Sequence, residues 1–260
     1  MDTHMTILIE TLADLARRAG AITLQYYQTG IQVETKADES PVTIADRNTE
    51  KFLREEIAKL FPDDCVMGEE FGESAGKPGA RKWIVDPIDG TKSFVRGVPL
   101  YGVMIGVEEA GEIVAGAVYM PALGELVVAA KGAGCWWNGR PAKVSTKSSL
   151  AEGMLCTTDA ADNHKSGKGT AYDQLCAASK LVRTWGDCYG HLLVATGRAE
   201  VMIDPIMSPW DCAALKIILE EAGGTFTDYE GKPTIYGNCA IGTNGAVFNE
   251  VMTITRKSKG

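Results

Sequence analysis

Residues 83–91 read Trp-Ile-Val-Asp-Pro-Ile-Asp-Gly-Thr, an apolar strand running into a turn with two carboxylates, Asp86 and Asp89, three residues apart. Pro87 fixes its own backbone and pushes Asp86 away from helical geometry. Gly90 permits close approach of the backbone to a ligand, and Thr91 adds a hydroxyl and an amide N–H. Two carboxylates at a strand end, with the Ile88 carbonyl between them, are hard oxygen ligands of the kind Mg2+ takes. Amides beyond the glycine suit a phosphate, above all where a helix begins there. The competing reading is a solvated acidic turn, because Asp, Pro and Gly are common in turns. A lone pair of aspartates would favour that reading. The complete string after an apolar strand favours the site.

Three further acidic elements accompany it. Gly68-Glu69-Glu70 follows another strand candidate, and Thr43-Ile44-Ala45-Asp46 opens a helix. Trp210-Asp211 begins the helix that leads into Glu220-Glu221-Ala222-Gly223-Gly224. Taken singly, Thr43, Asp46 and Asp211 read as helix-start residues and Glu69 as a surface acid. No Ser-His pair suggests a covalent nucleophile, and His4, His164 and His191 have no motif partners. The seven cysteines form no C-x-x-C pair, so reduced thiols packed as small hydrophobes are expected.

The elements that must position these groups follow from hydrophobic spacing. Leu8, Leu12, Leu15, Ala19, Ile22 and Tyr26 predict a long amphipathic helix ending near Gly30, and a second helix spans about 44–60. Short strands at 65–67 and 83–85 enter carboxylate-bearing turns; 101–107 and 112–119 form a β-hairpin, which 125–130 extends. Beyond about Ser145, strands at 154–157, 181–184, 199–203 and 225–227 alternate with helices near 171–179, 189–196 and 209–222. An α+β half (1–145) followed by an α/β half (146–260), sharing a cleft, is the expected organisation.

With 260 residues, 45% of them hydrophobic and 23% charged, the chain has ample material for a core and is not a disordered sequence. The 26 basic against 34 acidic residues leave −8, with no basic cluster, which argues against nucleic acid and anionic membrane surfaces as partners. No apolar run approaches the roughly 20 residues that span a bilayer. The early helical periodicity and acids are not those of a signal peptide, so a cytoplasmic protein is expected. Such a chain repels small anions too, unless a cation is recruited to the site.

The ordered set Pro41-Val42-Thr43-Ile44-Ala45-Asp46, Gly68-Glu69-Glu70, Asp86-Pro87-Ile88-Asp89-Gly90-Thr91 and Trp210-Asp211…Glu221-Ala222-Gly223-Gly224 resembles the inositol monophosphatase-like phosphatases. The resemblance implies a layered αβαβα sandwich, a homodimer, and hydrolysis of a small-molecule phosphate monoester by direct in-line attack of water. It assigns Glu69, Asp86 and the Ile88 carbonyl to one Mg2+, and Asp86, Asp89 and Asp211 to a second, with Glu69 also available to a third. Thr91 and Glu69 would face the water, Asp46 would polarise the Thr91 hydroxyl, and Gly90 and Thr91 would hold the phosphate. Charge agrees with this assignment: four carboxylates in one cleft are tolerable when cations bind there.

Two departures bear on the substrate. Lys92-Ser93 stand where inositol phosphatases usually have Thr-Asn, and Asp187 stands where they tend to carry a small residue. The stretch from Arg183 to Asp211 resembles the histidinol-phosphate phosphatase branch. Histidinol phosphate carries an ammonium and an imidazole, so carboxylates such as Asp187 and Asp204, with Asp89, suit its pocket. Asp204 would equally grip inositol hydroxyls, so Asp187 is the residue that discriminates, its competing reading being a cap for a helix starting at Tyr189. Arg183 pairs either with a carboxylate near the site or with a surface acid, and Trp185 either borders the imidazole or packs in the core. An inositol-1-monophosphatase or broad phosphomonoesterase is the alternative, and a non-catalytic metal- and phosphate-binding protein the further one. The segment 72–80 is expected as an exposed loop beside Glu69, with closure over the metals as the alternative, and the 256–260 tail as solvated.

Overall fold

The computed structural model describes residues 3–35 and 41–257. In chain order its elements begin with α1 (Thr3–Leu24), β1 (Val33–Thr35), β2 (Pro41–Thr43), α2 (Ile44–Leu60), β3 (Cys65–Gly68), β4 (Gly72–Glu73), β5 (Lys82–Asp89) and α3 (Thr91–Phe94). The strands β6 (Gly102–Glu109), β7 (Glu112–Met120), β8 (Glu125–Ala130), β9 (Gly134–Trp137) and β10 (Arg140–Ala142) complete the first half. A 3-10 turn at Leu150–Glu152 leads into β11 (Met154–Thr157), α4 (Ala160–Lys165), α5 (Gly169–Ala178), β12 (Leu181–Arg183), α6 (Asp187–Ala195), β13 (Val201–Asp204), α7 (Pro209–Glu221), β14 (Thr225–Thr227), β15 (Ala240–Thr243) and α8 (Phe248–Lys257).

Two sheets carry the architecture. One has eight strands in the order β10-β9-β8-β7-β6-β5-β3-β4, and the other five, in the order β12-β11-β13-β15-β14. Strand periodicity divides their faces among three cores. Trp83 and Val85 of β5 join Leu8, Leu12, Leu15, Leu53 and Ile57 from α1 and α2, while Ile84 between them joins the residues of α6 and α7. In β13, Val201 and Ile203 pack with Leu175 of α5 and Val251 of α8, whereas Met202 faces α6 and α7. Helices α1 and α2, the large sheet, α6 and α7, the small sheet, and α5 and α8 thus form an αβαβα sandwich. Helix α7 runs so close to the large sheet that a Cβ at Gly106 or Gly116 would strike Ala213 or Ala214. That contact seats Asp211, at its N-terminus, over the sheet.

Most expected elements lie within a residue or two of their predicted bounds. Helix α1 differs: it stops at Leu24, and 25–29 continue as hydrogen-bonded turns toward Gly30. There Tyr27 leaves the helical path to pack on Phe94 and Tyr101. The second half is mixed rather than wholly parallel, because β15 runs antiparallel between β13 and β14. The short strand Ala-Ile-Gly-Thr of β15 has no alternation to reveal it, being buried throughout. The expected tail begins inside α8, where Arg256 and Lys257 are exposed in the last turn; 258–260 lie outside the described residues. The loop after β4 is exposed but pinned: Ser74 N–H donates to the Val66 carbonyl and Lys77 N–H to that of Asp63.

Candidate active site

In a regular strand, residues three apart point to opposite faces. Asp86 and Asp89 escape this because the pairing of β5 with β6 slips between them. Pro87 has no N–H to give the ladder, so the irregularity falls there. The Ile88 N–H turns inward to donate to Asp86 Oδ1 (2.9 Å). Gly90 then adopts φ 79°, ψ 37°, the left-handed region, and begins α3. A Cβ on it would lie 2.9 Å from the Leu100 carbonyl oxygen and 3.1 Å from Asp187 Oδ2, so Gly90 also admits Asp187 to the site. The Thr91 hydroxyl donates to the Ile88 carbonyl (2.9 Å).

Glu69 sits in the turn between β3 and β4, and Asp211 and Asp46 arrive on helix N-termini. Asp211 completes a capping box on α7, accepting from Ser208 N–H (2.7 Å) through Oδ2, with Pro209 opening the helix. Asp46 does the same on α2, where its Oδ2 accepts from both the N–H (2.8 Å) and the hydroxyl (2.6 Å) of Thr43. The capping reading of both residues holds, and it leaves a remainder. Asp46 Oδ1 is buried without a hydrogen-bond partner.

Asp86, Asp89 and Asp211 each offer an oxygen, and the three oxygens lie within 4.8 Å of one another. Without a counter-charge such a set holds protons. Burial, reinforced by Glu69, Asp89 and Asp211, pushes Asp86 well above the carboxylate range. Burial, then Asp211, lifts Asp89 to about 7; burial, with Glu69 and Asp204 adding, lifts Asp211 to about 7. Burial likewise raises Asp46, and the Glu69 charge adds to it, so the field of Glu69 reaches Asp46, Asp86 and Asp211 alike. An all-oxygen, strongly anionic donor set suits Mg2+ rather than a softer transition metal.

The profile of the inositol monophosphatase family matches residues 4–257. The chain belongs to this family. It is 47% identical to the histidinol-phosphatase of Chlorobaculum parvum, over 94% of this chain and 94% of that one. It is 38% identical to the histidinol-phosphatase of Mycobacterium tuberculosis, over 92% and 94%. The solved structure of the extragenic suppressor protein suhB from Bartonella henselae superposes with a TM-score of 0.89 at 29% identity, covering 96% of this chain and 99% of that one. Family membership and the oxygen donor set together make this chain a Mg2+-dependent phosphoric monoester hydrolase.

Beside the acidic cluster of this phosphatase opens a cavity of about 110 Å³. Six aspartates line it: Asp89, Asp159, Asp162, Asp187, Asp204 and Asp211, with no lysine or arginine among the described lining residues. Thr158 ties two of them together. Its N–H donates to Asp204 Oδ1 (3.2 Å), and its hydroxyl accepts from Asp187 N–H (2.7 Å). Asp187 is not a side-chain cap; α6 starts at Asp187 itself, which holds φ 51°. A left-handed non-glycine residue costs on the order of 1 kcal/mol, and here it directs the carboxylate at Gly90. Burial, with Asp89 and Asp204, pushes Asp187 well above the ordinary range, partly offset by Lys92.

Arg183 lies on the exposed strand β12, donates to the Val182 carbonyl (2.7 Å) and covers the Trp185 ring at 5.8 Å. Trp185 is itself exposed. His4 and His164 pair with the carboxylates of Glu109 and Asp173, while His191 is fully buried with Nε2 3.3 Å from Asp204 Oδ2. Sequence reasoning missed Thr158, Asp159 and Asp162. The signal was present: Asp159 caps α4 through Ala161 N–H (2.7 Å), and Asp162 stands three residues on in a capping pattern after strand β11.

Proposed function

We propose that this phosphatase hydrolyses L-histidinol phosphate to L-histidinol and phosphate, a step of histidine biosynthesis. The observation that carries the reading is the cavity wall of aspartates without a basic residue. Glu69, Asp86, the Ile88 carbonyl, Asp89 and Asp211 would hold two Mg2+ ions, with Glu69 also available to a third. Asp187 and Asp204, and beside them Asp159 and Asp162, then face a substrate, and an ammonium and an imidazole are the groups such carboxylates bind best. An inositol ring offers hydroxyls alone and would leave that charge uncompensated. The 47% identity to a protein named histidinol-phosphatase supports the same reading.

Bound Mg2+ supplies Lewis acidity, easing deprotonation of the attacking water and neutralising charge on the departing alkoxide. Everything else falls to the chain. Glu69 and Thr91 Oγ1 accept from the water and aim it. To do so Thr91 moves its hydroxyl proton from the Ile88 carbonyl to Asp46 Oδ1, the buried oxygen without a partner. The same shift frees the Ile88 carbonyl as a ligand. The amides at Gly90 and Thr91, which have no acceptor within α3, receive the phosphate. Arg183, a substrate-binding candidate from the sequence, stands on exposed strand β12 outside the lining of this cavity and is left out of the substrate-facing set.

A comparison of kcat/KM with Mg2+ on histidinol phosphate and on inositol 1-phosphate tests the assignment. A preference for histidinol phosphate is expected. A preference for inositol 1-phosphate transfers it to the inositol reading, which Asp204 alone would also serve, and release of phosphate from neither points to a binding protein.

A further inference from the structure

The turn that carries Glu69 is held from behind by a second carboxylate. Glu50, one helical turn after Asp46 on α2, is fully buried. Its Oε2 accepts from Glu70 N–H (2.7 Å) and its Oε1 from Phe71 N–H (3.2 Å). Arg54, one turn further on, donates from Nε to Glu50 Oε1 (2.8 Å) and reaches the carbonyls of Val66 (3.3 Å) and Gly72 with its remaining nitrogens. The backbone is therefore tied to α2 on both sides of Glu69.

Gly68 belongs to the same arrangement. A Cβ at that position would overlap the Glu50 carboxylate. The glycine of Gly68-Glu69-Glu70 is needed because this carboxylate lies flat against its Cα. A buried charge of this kind persists when it is paired and hydrogen-bonded, and Glu50 has a guanidinium and two amides. The partners it selects are informative: both amides belong to the two residues that follow Glu69.

We propose that Glu50 is a positioning residue for Mg2+ binding, clamping the 68–72 turn so that Glu69 stands among Asp46, Asp86 and Asp211. This rests on Glu69 being a Mg2+ ligand. Titration of Mg2+ alone into the full-length protein, followed by calorimetry, separates the two claims across the parent, Glu50→Gln, Glu69→Gln and the double variant. Glutamine keeps the length of the side chain but turns an amide nitrogen toward donors. Glu50→Gln is expected to weaken Mg2+ binding about 10- to 100-fold, as loss of a group supporting a ligand does. In the Glu69→Gln background it should cost less than about twofold more, since the ligand it positions is already gone. Equal losses in both backgrounds would mark an ordinary fold-stabilising ion pair and overturn the proposal. Parental affinity in Glu50→Gln with loss in Glu69→Gln overturns the clamp alone; parental affinity in Glu69→Gln removes the ligand assignment and the clamp with it. Should Glu50→Gln not fold, Gly68→Ala drives a methyl into the same carboxylate and is expected to reproduce the loss, with unchanged affinity overturning the proposal.

Discussion

The backbone N–H of Cys188 donates to Asp89 Oδ2 at 2.6 Å, joining the first residue after Asp187 to the strand that carries Asp86. One carboxylate is thereby shared between the half proposed to supply most Mg2+ ligands and the half proposed to face the substrate. Asp89→Asn replaces one of its two oxygens by a donor. Turnover of histidinol phosphate is expected to fall by more than the roughly 10- to 100-fold typical of residues that merely support a ligand. Near-normal kcat at saturating Mg2+ would exclude the two-ion arrangement.

Asp187 sits in the left-handed region, which asparagine adopts at least as readily as aspartate. Asp187→Asn therefore removes charge while keeping the backbone. KM for histidinol phosphate should rise about tenfold, the loss of roughly one charge-assisted hydrogen bond. Hydrolysis of p-nitrophenyl phosphate, which carries no cation, should change little. Equal losses on both substrates would make Asp187 a structural residue.

The residues of the site differ in how readable they were in the sequence. Asp86 and Asp89 stand in a motif whose local geometry Pro87 and Gly90 dictate, so the string itself exposes them, whereas Asp211, singly a helix-start acid behind Pro209, joins them only through the family resemblance. Glu50 is an ordinary acid on an amphipathic helix until β3 folds against it. What distinguishes it is a tertiary contact with Gly68, which no window along α2 contains. Asp162 is intermediate, being visible as a capping pattern but not as part of a cavity. In the fold, β15 escaped notice because a strand buried on both faces has no alternation. Helix α8 was not among the expected elements, although Val251, Met252 and Thr255 are buried on one face at helical spacing.

Stability of the metal-free protein should depend on pH in a direction unusual for carboxylates. Asp89 and Asp211, ordinarily near 3.8, stand at about 7 when folded. Folding then binds protons, so their contribution is complete below the unfolded value and is lost as pH rises through about 7. In chelator, the thermal midpoint should rise as pH is lowered from about 8 to 5. Mg2+ affinity should weaken over the same window, because each ion displaces protons. Differential scanning fluorimetry with and without Mg2+ reads both effects. An Asp211→Asn variant with an undiminished pH slope in chelator would show that the slope arises elsewhere.

Asp46 divides its oxygens between two tasks, and one substitution separates them. Oδ2 caps α2 through Thr43, while Oδ1 is the buried atom to which the Thr91 hydroxyl would donate. In Asp46→Asn the remaining oxygen serves the cap, and an amide nitrogen replaces the acceptor. Capping loss alone costs about 1 kcal/mol, a fall of a few degrees in Tm for a chain of this size. Removal of a proton acceptor costs about 100- to 10,000-fold in rate. Asp46→Asn should therefore lose kcat on that scale with KM and Mg2+ affinity close to parental, and Thr91→Val should show the same signature. Their double variant should be little slower than either alone, since both interrupt one relay. A kcat loss in Asp46→Asn that merely tracks its lowered Tm would reduce Asp46 to a helix cap and leave Glu69 as the group that orients the water.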